Sequence, residues 1–311
     1  MLAFSSLLGN VEGQNIYRIW YDKPASYWEE ALPVGNGRIA AMVFGDPQLE
    51  QIQLNEETVS AGSPYQNYNE EAKTALPEMR RLIFEGKYEE AQNMAATKIL
   101  SQVGNEMPYQ TVGRLNIRYQ DHKKVNNYYR DLDISNAVAV TRYEVDGVEF
   151  TEETFASFTD QLVIRHIKAS KPGTINCELF FNTPMRDPKR SIYGKKGLRL
   201  EGITHGSRYF PGKVHYCADL DVKHKGGKVI TANDTLLSVQ GASELTLYIS
   251  MATNFVNYKD ISGDPYQRNK AYLKNAAKDY SKAKAAHIAA YQKQFRSEEH
   301  TSELQSHLMI S

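Results

Sequence analysis

Carboxylates in this sequence come as adjacent doublets: Glu29-Glu30, Glu56-Glu57, Glu70-Glu71, Glu89-Glu90 and Glu152-Glu153. Acid–base hydrolysis needs one group to give a proton and another to activate water across the bond. A doublet on a strand cannot flank one bond, because neighbouring side chains point to opposite faces. Each doublet therefore reads as solvated surface charge. The eight His residues show no His-x-His, His-Glu-x-x-His or Cys–His spacing of a metal site. His215 and His224 have Asp219 and Asp221 close in sequence and read as structural or exposed. A Gly-x-Ser-x-Gly nucleophile elbow does not occur. Gly35-Asn36-Gly37 precedes an apolar strand and so lacks the strand–glycines–helix context of a phosphate loop. Cys177 and Cys217 fall in different strand-like segments, where they can pair or sit apart as small buried hydrophobes. Asn233-Asp234-Thr235 is a formal glycosylation acceptor, meaningful in a eukaryotic secretory setting. Neither a metal nor a cofactor is implied.

The elements that must position these groups are mostly strands. A Gly-Asn-Gly turn, an apolar strand, a Gly-Asp-Pro turn and a second strand fill Trp28 to Thr58. Residues 70–100 then read as a helical insertion, with Met79, Leu82, Ile83, Tyr88, Ala91, Met94 and Ala95 at three- and four-residue spacing. Pro77 suits a helix start better than an interior, and Gly86-Lys87 suits a break between two short helices. From Tyr109 the period becomes two: Leu115, Ile117 and Tyr119, then Val138 and Val140, then Val145, Val148 and Phe150. Asp146-Gly147 between Val145 and Val148 is a hairpin signal, since both central residues of a type I′ turn need positive φ. Further strands are expected at 162–167, 174–181, 197–203, 214–222, 235–240 and 244–252. Many short strands between turn signals imply a large antiparallel β-sandwich, not a parallel sheet with crossover helices.

Residues 263–295 return to a helical period, with Tyr272, Leu273, Ala276, Tyr280, Ala283, His287, Ile288, Tyr291 and Phe295 on one stripe. Two readings stay open: a helix packed on its own sandwich, or a linker whose apolar face belongs to another domain. The 311 residues allow roughly two domains or one large β domain. Charge is balanced, 37 basic against 37 acidic residues, which gives no reason to expect nucleic acid or another polyanion as partner. No apolar run approaches the ~18–20 residues of a membrane span. The 20 Tyr and 11 Phe suit half-buried strands, and equally suit sugar stacking in a cleft.

The Trp28–Thr58 stretch, WEEALPVGNGRIAAMVFGDPQLEQIQLNEET, closely resembles the opening of glycoside hydrolase family 95, the inverting α-L-fucosidases. Later segments resemble the same family in order: Tyr109 to Leu115, Tyr129 to Asp133 with Ala137 to Ala139, Tyr143 to Phe158, and HIAAYQKQF ending at Phe295. The resemblance spans roughly Ile19 to Phe295. It implies an N-terminal super-sandwich over 16–262, a helical linker over 263–295, and an (α/α)6 barrel beyond this chain that carries the catalytic carboxylates. No catalytic residue is then expected here, and the fragment alone is expected to be inactive. A fucosylated glycan would be the substrate of the full-length enzyme, and the barrel an intramolecular partner.

Several expectations follow from that resemblance. The loop residues Asn36, Arg38, Asn55 and Glu56 offer donors and acceptors suited to sugar hydroxyls, and equally to bracing the barrel. Where the family commonly has Trp after its NE-[ED]-T element and an apolar residue, this chain has Ser60. Residues 1–15 read as a signal-peptide remnant or a disordered end, and export to the periplasm or beyond fits the family. Residues 296–311, opening RSEEHTSELQSH, do not continue the family's helix and read as a non-native tail, so that the chain is a truncated gene product. The competing readings are a stand-alone carbohydrate-binding module and the N-terminal domain of a related glycoside phosphorylase.

Overall fold

The computed structural model describes residues 17–101, 107–207, 210–277 and 279–308. Residues 1–15, read above as a leader remnant, lie outside the described residues. Two antiparallel sheets face one another. The larger runs β1 (Arg18–Tyr21), β6 (Asn126–Asp133), β7 (Val138–Val145), β8 (Val148–Ala156), β9 (Val163–Ala169), β16 (Glu244–Thr253), β13 (His215–Lys225), β12 (Gly197–Ile203) and β11 (Arg186–Tyr193). The smaller runs β14 (Lys228–Asn233), β15 (Leu236–Ala242), β10 (Ile175–Asn182), β5 (Gly113–Tyr119), β4 (Leu49–Glu56), β3 (Ile39–Val43) and β2 (Leu32–Gly35). This is the β-sandwich expected from the strand pattern.

Alternation decides which side chains fill the space between the sheets. On β4 the inward face is Glu50, Ile52, Leu54 and Glu56, all buried. Ile52, Leu54, Ile117 and Leu179 meet Val163, Ile167, Leu247 and Ile249 from the facing sheet in one core. Each such side chain contributes roughly 1.5–3 kcal/mol by leaving water. The Asp146-Gly147 hairpin forms as expected, with φ of 50° and 75° and Val145 opposite Val148. The two cysteines are free and buried, Cys177 on β10 in one sheet and Cys217 on β13 in the other.

Two points of the sequence reading need correction. Pro77 lies inside helix α1 (Ala72–Phe84), not at its start. It sits on the exposed side of that helix, where the carbonyl it leaves unbonded meets water. Helix α2 (Tyr88–Met94) and a π turn over Ala95–Ile99 complete the insertion. Strands β11 and β14 were not anticipated, because RDPKRSIY and KVITAN are edge strands with little apolar alternation. The register of β11 also breaks between Arg186 and Lys189, around Pro188.

Of the two readings open for the C-terminal stripe, the contacts favour a helix packed on its own sandwich. Helix α3 (Pro265–Asn275) begins at Asp264, whose carboxylate accepts from the Tyr266 and Gln267 amides at 2.8 and 3.2 Å. Helix α4 (Tyr280–Leu308) follows. Their apolar side does not wait for another domain: it packs on the outer face of the nine-stranded sheet. Leu273, Ala276 and Ala283 bury against Val140, Phe155, Ile164 and Tyr248. His287 stacks on Phe155 with centroids 4.7 Å apart, and the Tyr291 hydroxyl donates to the Ile134 carbonyl at 2.7 Å. The stripe therefore gives no support for a missing partner. The α4 backbone runs on from Phe295 to Leu308 without a break.

Candidate functional site

The tight turn between β2 and β3 places Asn36 and Arg38 at one end of the sandwich. Asn36 behaves as a turn residue should: its Oδ1 accepts from the Arg38 and Ile39 amides at 3.1 and 2.9 Å. Its Nδ2 donates to the Ser157 carbonyl at 2.8 Å, tying the turn to the end of β8. Arg38 extends the tie. Its Nε and Nη2 donate to Gln161 Oε1 and the Gln161 carbonyl, each at 2.9 Å, and Nη1 donates to the Met251 carbonyl at 2.8 Å. The guanidinium also lies 4.5 Å from the ring centroid of Tyr272 on α3. One side chain thereby joins both sheets and a helix, and holds Gln161 at a φ of 60°.

Glu56 closes the same end from β4. Its carboxylate lies 3.6 Å from Arg38 Nη1 and accepts from the Thr58 amide and hydroxyl at 2.8 and 2.6 Å. Thr58 in turn bonds the Thr253 hydroxyl. Burial raises the Glu56 pKa, against the pull of the Thr58 donors and Arg38. Glu56 and Glu152 are thus buried, not the solvated doublet members expected, because each falls on the inward phase of its strand. Asn55 falls on the outward phase, opposite Ala40, with no side-chain partner among the described residues. The structure brings Asn36, Arg38 and Glu56 together and leaves Asn55 on the other face. Arg38→Ala should lower the unfolding free energy by roughly 2–3 kcal/mol, since several buried acceptors lose a charged donor at once. Urea denaturation would read this; a loss under about 1 kcal/mol would mean the clamp is dispensable.

A second polar group, which the doublet argument hid, sits in the middle of the core. Arg165 on β9 meets Glu50 from the facing sheet at 2.7 Å and bonds Glu152 on β8, and all three side chains are sealed from solvent. Thr154 accepts from Arg165 Nη1 at 2.8 Å. Glu152 also accepts from the Tyr119 and Tyr143 hydroxyls at 2.5 and 2.8 Å, while Glu50 accepts from the Phe44 and Gly45 amides. Burial pushes the Glu50 carboxyl up to about 7 despite the Arg165 charge, and Glu152 adds to the push. Two carboxylates on one guanidinium resemble acid–base machinery, but no substrate can reach them. Period two did carry the signal: Glu152 shares a phase with Phe150 and Thr154, and Arg165 shares one with Val163 and Ile167.

Two open clefts flank these networks. One, of about 520 Å³, lies between the outer face of the larger sheet and the start of α4. Several of its polar groups are spent on one another: Lys225 on Glu244 at 2.7 Å, the Tyr280 hydroxyl and nearby Lys284 on Glu153, and His166 on Thr246 at 2.9 Å. His224, near this cleft, donates from Nδ1 to the Gly226 carbonyl and accepts from Lys196, a structural arrangement. The other cleft, about 620 Å³, opens where Glu57 and Thr58 continue from Glu56 towards Asn67.

The fold and its clamped end define a large antiparallel super-sandwich module with helices laid on its outer face. The model of the glycosyl hydrolase family 65 N-terminal domain matches residues 19–258, and the chain belongs to that family. It is similar to Alpha-L-fucosidase 2 of Arabidopsis thaliana, 31% identical over 316 residues, covering 92% of this chain and 37% of that protein. It is also similar to Probable alpha-fucosidase A of Aspergillus niger (strain ATCC MYA-4892 / CBS 513.88 / FGSC A1513), 26% identical, covering 88% of this chain and 36% of that protein. A solved structure described as a putative kojibiose phosphorylase from human microbiome superposes with a TM-score of 0.47 at 11% identity, over 88% of this chain and 37% of that chain. The fucosidase resemblance read from the sequence is borne out by these relatives. The chain spans little more than a third of their length, 37% and 36%. No helix among the described residues is long and apolar enough to cross a membrane.

Proposed function

We propose that this chain is the non-catalytic sandwich of a glycoside hydrolase that, at full length, releases terminal α-L-fucosyl residues from glycans. The observation that carries this reading is the 31% identity to a fucosidase of which the chain covers only 37%. The acid and base of inverting hydrolysis must stand on opposite faces of the sugar with room for water. Here the fully buried carboxylate pair, Glu50 and Glu152, is locked on Arg165. Catalysis on this reading belongs to a helical barrel outside this chain. The clamp of Asn36, Arg38 and Glu56 keeps the sandwich end rigid, with Asn55 left to meet barrel or substrate. Export of the full-length protein is part of the same reading.

The test compares this 311-residue chain with the product of the uninterrupted gene on an oligosaccharide bearing a terminal α-L-fucosyl group. The long protein should release L-fucose, first as the β anomer, while this chain releases none. Hydrolysis by this chain alone would sink the non-catalytic reading. Release that requires added phosphate and yields a sugar phosphate would replace hydrolysis by phosphorolysis.

A further inference from the structure

The 620 Å³ cleft beyond Glu56 has the size of a small-molecule site and a lining that the clamp does not explain. Thr58 lines it with its hydroxyl held by Glu56 and Thr253, and four more polar side chains face it: Glu57, Ser60, Ser63 and Asn67. None of these four has a side-chain hydrogen-bond partner among the described residues. Aromatic rings complete the lining. Tyr65 is held by stacking on Phe210 at 4.3 Å, and Tyr258 stands 72% exposed. The loop is pinned as well: Ala61 N–H donates to the Pro108 carbonyl, Gly62 N–H to His205, and Lys213 N–H to Gly62, at 2.9 to 3.0 Å. Little ordering remains to be done when a ligand arrives.

The chemistry of the lining selects the occupant. Glu57 is the only charged side chain among the described lining residues, and the nearby Lys259 ammonium lies over the Tyr258 ring at 5.1 Å. A phosphate, sulfate or carboxylate would therefore meet a carboxylate inside the cleft and a cation only at its rim. A wholly apolar ligand would strip water from four polar groups and return nothing. A sugar ring satisfies both halves, with hydroxyls for Glu57, the serines and Asn67, and a C–H face for an aromatic ring. We propose that this cleft is a binding site for a neutral saccharide unit, formed wholly within this chain. It does not rest on the fucosidase reading, since binding here needs no catalytic domain.

Ligand-observed NMR and calorimetry on the 311-residue chain test this with L-fucose, D-galactose and lactose, each against inorganic phosphate. At least one neutral sugar should show saturation transfer and saturable binding, with phosphate showing none. Ser60→Trp should abolish binding by filling the cleft. Tyr258→Ala, at an exposed position that the fold does not need, should weaken it about tenfold while the denaturation midpoint stays put. Absence of binding by all three sugars, equal binding by both variants, or tighter binding of phosphate would each overturn the site. None of those outcomes bears on fucose release by the full-length protein.

Discussion

Arg165→Met is expected to lower the unfolding free energy by about 3–5 kcal/mol, among the largest losses open to a single substitution here. Arg165 is the only cation bonded to Glu50 and Glu152 among the described residues, and all three side chains are buried. Taking it away leaves two carboxylates out of water with no compensating charge. A companion variant separates charge from packing. Arg165→Met combined with Glu50→Gln and Glu152→Gln keeps acceptors for the Phe44 and Gly45 amides and for the Tyr119 and Tyr143 hydroxyls. It should recover most of the loss, because a buried ion pair replaced as a whole is often near neutral. Urea denaturation at constant m-value is the measurement. A single variant within about 1 kcal/mol of the parent would mean the network is neutralised some other way.

The second large effect is a dependence of stability on pH that runs opposite to ordinary acid unfolding. Burial holds the Glu50 carboxyl at about 7, above its ordinary value of 4.5. Between those values the folded chain keeps a proton that the unfolded chain has released. The folded state binds more protons, so this group's contribution falls as pH rises, by about 1.4 kcal/mol per unit. The contribution is full below 4.5 and gone above about 7, a span of roughly 3 kcal/mol. His122, His166 and His287 act in the other direction. Burial lowers their pKa values, so each favours folding more as pH rises towards 6.5. The raw curve therefore mixes both trends, and the difference between the parent and Glu50→Gln isolates one. That difference should fall steadily from pH 4.5 to 7; a flat difference would show that Glu50 does not titrate there.

The strands that carry the core were legible because their apolar residues alternate and their turns are marked. β12 (Gly197–Ile203) and the Asp146-Gly147 hairpin are the clearest cases. The clamp was legible in part: Asn36, Arg38 and Glu56 were picked as neighbours in loops, but their partners Gln161, Met251 and Tyr272 lie more than a hundred residues away. Sequence carries no measure of such distant pairing. The buried triad was misread for a different reason. The doublet rule asks whether two adjacent carboxylates can share a bond, and correctly answers no. Glu152 turns inward to Arg165 while Glu153 turns outward to Tyr280 and Lys284. It does not ask which of the two shares a face with Phe150. Period alone also left the destination of the α4 stripe open; only the contact with Phe155 and Ile164 decides it.

One last consequence follows from the edge strands. Each sheet ends in a row of backbone donors and acceptors that a strand from another molecule can extend. Here β2 closes the smaller sheet with four residues, including Pro33, and β11 closes the larger with Arg186, Lys189, Arg190 and Pro188 around a broken register. Each proline deletes a donor, and the positive charge on β11 repels a second copy of itself. A protein with this much sheet is thereby discouraged from growing into a fibre at these two margins, and the polar sequence that hid β11 from pattern reading is the reason.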